Sequence, residues 1–79
     1  MNNKILVVIY VPSIDEELNL FIPINKKVGT IKNIVASYIG EFDLNSNHIF
    51  VNEGDSKIVD DNVYIKNSGI NNGSRLVLI

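Results

Sequence analysis

No cysteine occurs in the sequence, which excludes disulfides, cysteine-ligated zinc and thiol catalysis. Nothing points to an oxidising compartment. Charge of one sign is scarce as well. Seven basic residues stand against nine acidic ones, for a formal net charge of −2 and an isoelectric point of about 5.1. So weak and acidic a balance gives no electrostatic attraction to nucleic acid or to an anionic membrane. Long hydrophobic runs are missing too. The longest, Ile5–Val11, falls far short of the roughly 20 residues of a membrane-spanning helix. Met1-Asn2-Asn3-Lys4 leads straight into it, without the apolar core and small-residue cleavage site of a signal peptide. The cytoplasm is therefore the expected compartment, and no membrane insertion is expected. Low-complexity tracts and internal repeats are absent, because the frequent Asn residues are scattered between apolar runs.

What is present fits one small domain over residues 1–79. A chain of this size buries only about 60–65% of its unfolded surface, so its margin of stability is thin. Ile5–Val11 is β-branched and aromatic throughout and reads as a strand that Pro12-Ser13 ends. Asp15-Glu16-Glu17 carries the chain round. Leu18-Asn19-Leu20-Phe21-Ile22 then alternates with period two up to Pro23, predicting an antiparallel hairpin with the first strand.

The period changes next. Ile31, Ile34, Val35, Tyr38 and Ile39, with Val28 one turn earlier, make the stripe of an amphipathic helix. Lys32, Asn33, Ala36 and Ser37 take its other side, and Gly40 suits its end. Glu41–Asn47 reads as a loop, His48–Val51 as a short strand and Lys57-Ile58-Val59 as a very short edge strand. Asn62–Ser68 is irregular or one helical turn. Gly69-Ile70-Asn71-Asn72-Gly73 is a tight turn with φ > 0 at Gly73, and Leu76–Ile79 is the last strand. The expected fold is α+β, a ββαββ mixed sheet with one helix packed across one face. Its last strand is central and parallel to the first. The expected core is Leu20, Ile22, Ile31, Ile34, Val35, Ile49, Ile70, Leu76 and Leu78.

Lys57 through Ile79 resembles the closing half of ubiquitin-like (β-grasp) domains. Ile65 stands where those domains have the leucine of a short helical turn. Ile70 and Gly73 fit their Ile-x-x-Gly-x-x-Leu strand. Val28-Gly29-Thr30-Ile31-Lys32 resembles their Val-Gly-Asp-Leu-Lys helix start. More narrowly, Ser68–Ile79, Leu20-Phe21-Ile22-Pro23 and Ile31-Lys32-Asn33-Ile34 are similar to the YukD/EsaB ubiquitin-like proteins of bacterial type VII secretion systems. That resemblance implies a cytoplasmic accessory or regulatory protein of a secretion machine. The alternative, a sulfur carrier or conjugated modifier, is disfavoured because Ile79 stands in the predicted last strand with no Gly-Gly tail.

No enzyme, cofactor or metal is expected. His48, the single histidine, lacks a nucleophile and an orienting group. Glu53, Asp55, Asp60 and Asp61 lack the spacing of a calcium loop, and Gly69 and Gly73 match neither glycine-rich phosphate motif. The outer face of the sheet is the candidate site. With Ile49 and Val51 set inward, alternation puts Phe50 outward beside Val77, Ile79 and Phe21. The first strand leaves open whether Ile5, Val7 and Ile9 or Leu6, Val8 and Tyr10 join them. A contiguous apolar patch of this kind predicts a protein partner, with self-association into a homodimer equally open.

Overall fold

The computed structural model describes residues 3–39 and 48–79, so Gly40 and the loop expected over Glu41–Asn47 lie outside the described residues. Strands β1 (Lys4–Val11) and β2 (Glu16–Pro23) form the expected antiparallel hairpin, paired from Lys4↔Pro23 to Val11↔Glu16. A 3-10 turn at Pro12–Ile14 and Asp15 at φ 51° reverse the chain. Asp tolerates that left-handed conformation better than most residues. Helix α1 (Val28–Ile39) follows, then β3 (Phe50–Asn52), β4 (Lys57–Val59), a 3-10 turn at Ile65–Asn67 and β5 (Arg75–Leu78). The sheet order is β2-β1-β5-β3-β4, and only the central β1·β5 pair is parallel. The helix covers one face, which completes the α+β arrangement expected.

The core lies between them. Leu20, Ile22, Ile31, Val35, Ile70, Leu76 and Leu78 are buried as expected, and Ile34 packs at the margin. On β1 the inward face is Val7, Ile9 and Val11, which turns Leu6, Val8 and Tyr10 outward. Each fully buried aliphatic side chain contributes on the order of 1.5–3 kcal/mol through removal from water.

Three expectations are corrected. Phe50 is fully buried, and Ile49 is not part of the core. The register explains both, because Phe50 pairs with inward-facing Leu78, which forces Ile49 and Val51 to the other side. Tyr38 is exposed while Lys32 is buried. The buried stripe of α1 is Val28, Ile31, Lys32 and Val35, rotated from the one that apolar spacing indicates. Lys32 is accommodated because its ammonium donates to the carbonyl of His48 and, at 2.7 Å, to Oδ2 of Asp61. The apolar stem thus joins the core while the charge is met at its rim.

Gly73 has φ 89° and its N–H donates to the carbonyl of Leu6 at 2.7 Å, as the tight turn requires. The N–H of Val8 then donates to the carbonyl of Ser74. These two bonds, with the Leu6 N–H donated to Oδ1 of Asn72, set the register in which β5 enters the sheet.

Candidate functional site

The face of the sheet away from the helix is the candidate site, and ladder registers fix its composition. Tyr10 pairs with Val77, Val77 with Val51 and Val51 with Ile58. Side chains at paired positions share a face, so these four make one apolar row across β1, β5, β3 and β4. Ile79 extends it along β5, and its backbone exchanges hydrogen bonds of 2.8 and 2.9 Å with Ile49. Ile58 and Phe21 are each 67% exposed and Ile79 is 55% exposed, so large apolar side chains stand in water.

Of the residues expected here, Val77 and Ile79 lie together in this patch. Phe21 is on the same face but opposite Leu6, toward the other end of the hairpin. The row of Asn19, Val8 and Arg75 separates it from Val77. Phe50 is not on this face. Tyr10 belongs to the facing of the first strand that the sequence leaves open, Val51 is expected inward and lies outward, and Ile58 is given no face by the sequence. β1 is apolar on both sides, and the facing of β3 and β4 depends on a register that only the β5 ladder fixes.

Polar groups border the row. The Arg75 guanidinium lies 3.3 Å from Glu17 and 3.1 Å from Glu53. The hydrogen bond and charge of Glu17, with the charge of Glu53, hold it above the ordinary arginine range. Such exposed pairs add little stability, but they fix charge in place. The Tyr10 hydroxyl donates to Oδ1 of Asp15 at 2.9 Å. That bond first, then partial desolvation and the negative charge of Asp15, raise the Tyr10 pKa. The result is an apolar strip with acidic groups along it. Among the described residues no group of three or more His, Asp or Glu side chains is placed to hold a metal ion. Among them, too, no helix is long and apolar enough to cross a membrane.

No protein-family model matches the chain, and no curated protein matches it. Solved structures do. A chain from work on molecular mimicry of SUMO in DNA repair aligns with a TM-score of 0.87 at 15% identity, covering 100% of this chain and 94% of that one. The N-terminal ubiquitin-like domain of the 4931431F19Rik protein aligns with a TM-score of 0.77 at 21% identity, over 100% of this chain and 76% of that one. The ubiquitin of Caldiarchaeum subterraneum gives 0.76 at 19%, over 96% and 91%. The fold is ubiquitin-like; identities this low speak to the fold alone.

Proposed function

We propose that residues 1–79 form a single, non-catalytic ubiquitin-like domain that docks onto another protein through the outer face of its sheet. The observation that carries this reading is the row Tyr10–Val77–Val51–Ile58 with Ile79 beside it. It is a contiguous apolar patch on rigid strands, and contiguous patches tend to be interfaces. The context proposed is a cytoplasmic accessory or regulatory role in a type VII secretion system. Support for that context is the similarity of Leu20–Pro23, Ile31–Ile34 and Ser68–Ile79 to the YukD/EsaB proteins.

The test is affinity purification of the tagged chain from its own cells, beside the variant Ile58→Asp/Ile79→Asp. Both positions are exposed, so the variant folds. The proposal expects secretion-system components to co-purify with the parent and to be lost from the variant. Partners unrelated to secretion would remove the context, and partners retained by the variant would remove the site. An intact-mass measurement of the recovered chain, expected to show no covalent adduct, tests the alternative of a carrier or modifier.

A further inference from the structure

The charges of the described residues are sorted to the two ends of the β1–β2 hairpin. Lys4, Lys26, Lys27 and Lys66, four of the chain's seven basic residues, gather at one corner. Lys4 pairs with Pro23 in the ladder, and the carbonyls of Ile24 and Lys26 accept the N–H groups of Lys66 and Ile65. Lys27 bridges to Tyr64. The Lys66 ammonium sits 5.9 Å over the exposed Tyr64 ring, so the corner is an aromatic knob surrounded by lysines. Among the described residues, Asp60 and Asp61 are the acids closest in sequence to Tyr64 and Lys66. Asp60 is bonded to the Asn62 N–H, and Asp61 is taken up by Lys32.

The apolar row lies toward the other end. Around it stand Asp15, Glu16, Glu17, Glu53 and Asp55, against Arg75 and Lys57. Arg75 is already shared between two of those carboxylates, so the rim stays negative. β1 has eight residues, which puts its two ends about 23 Å apart at ~3.3 Å per residue step. One molecule cannot bring its own knob to its own row.

We propose that the partner of the outer face is a second copy of this chain, whose Tyr64 knob and lysines dock on the acid-rimmed apolar row in a head-to-tail contact. This rests on the outer face being the working surface. Two observations select the geometry. The knob brings what the acidic rim of the row calls for, lysine charge set around an exposed ring, and tyrosine is among the residues that anchor interfaces. A symmetric face-to-face dimer would instead bring two net-negative rims together, which like-charge repulsion opposes. A heterologous contact leaves a row free at one end and a knob free at the other, so it propagates into rings or open chains.

The experiment is sedimentation equilibrium of the purified chain, of its variants and of their mixture. The average mass of the parent rises with protein concentration, and raising NaCl from about 0.05 M to about 0.5 M weakens association at least tenfold. The face variant Ile58→Asp and the knob variant Lys26→Glu/Lys66→Glu are each monomeric, with circular dichroism like the parent's. Mixed together they form a one-to-one dimer, because each supplies the surface the other lacks. Tyr64→Ser, which keeps every lysine, also weakens association.

A parent that stays monomeric at about 1 mM overturns the proposal, as does a mixture in which no dimer forms. Association retained by the knob variant and lost by the face variant means a symmetric contact and overturns it too. If the parent is monomeric yet captures a foreign partner that Ile58→Asp loses, the outer-face function stands and only the second copy is refuted.

Discussion

Phe50 lies opposite Leu78 across the β3·β5 ladder, and both side chains are sealed beneath the helix. The pairing makes Phe50 one of the largest fully buried side chains among the described residues. Phe50→Ala should therefore destabilise the fold by about 3–5 kcal/mol through lost transfer energy and the cavity left behind. Ile58→Ser, on the exposed side of the neighbouring strand, should stay within about 0.5 kcal/mol. Denaturant titration of the two variants checks this; equal losses would mean that β3 is turned over.

Gly73 gives a second prediction. A β-carbon at that position has no heavy atom within 4 Å, so only the backbone angle of φ 89° resists substitution. Gly73→Val should cost more than about 1 kcal/mol, and Gly73→Asn distinctly less, because Asn tolerates positive φ. Thermal melting of both reads the difference. A valine variant as stable as the parent would show that the turn relaxes to ordinary angles.

The Lys32–Asp61 pair predicts an asymmetry. The Lys32 side chain is 11% exposed and that of Asp61 is 41% exposed. Removing the lysine opens Oδ2 of Asp61 to water, its Oδ1 being buried already, whereas removing the carboxylate leaves a buried ammonium with the His48 carbonyl but without that counter-charge. Asp61→Ala should cost about 1–3 kcal/mol, and Lys32→Met less than that. The reverse order in urea unfolding would mean that the ammonium reaches solvent freely.

Tyr10 predicts a pH dependence. Its hydroxyl donates to Asp15, which holds its pKa above the ordinary tyrosine value. The sign follows from linkage. The neutral phenol is favoured in the folded state, so the contribution is complete below the ordinary tyrosine range and lost as pH rises through the raised value. Spectroscopic titration of tyrosinate should show one phenol whose ionisation moves to lower pH in Asp15→Ala. An unchanged titration would show that Asp15 does not govern it.

The elements of this fold were readable from periodicity because β2 and β5 alternate cleanly and so declare an inner face. Leu20 and Ile22, or Leu76 and Leu78, can point only one way if a core is to form. β1 and β3 declare nothing, since Ile5–Val11 and Ile49-Phe50-Val51 are apolar at every position. Their facing is a tertiary fact, imposed by hydrogen-bond register with β5. That is why Val77, Ile79 and Phe21 lie on the face their spacing indicates, while Phe50 and Val51 lie opposite to expectation and Tyr10 and Ile58 take faces that the sequence leaves open. Lys32 failed for a related reason. A helical wheel sees a charge and assigns it to solvent, but the carboxylate that admits it lies 29 positions further on.

The parallel seam between β1 and β5 has a consequence for synthesis. Leu6 and Asn72, bonded to each other, are 66 positions apart, and the two strands beside them form the middle of the sheet. Contacts of such long separation slow folding, because the loop must close before any gain is made. While a ribosome is still making β5, the β1–β2 hairpin and the helix have no central partner to close upon. Until β5 has been made, the inner side of β1, Val7, Ile9 and Val11, lacks the Leu76 and Leu78 packing that completes the core.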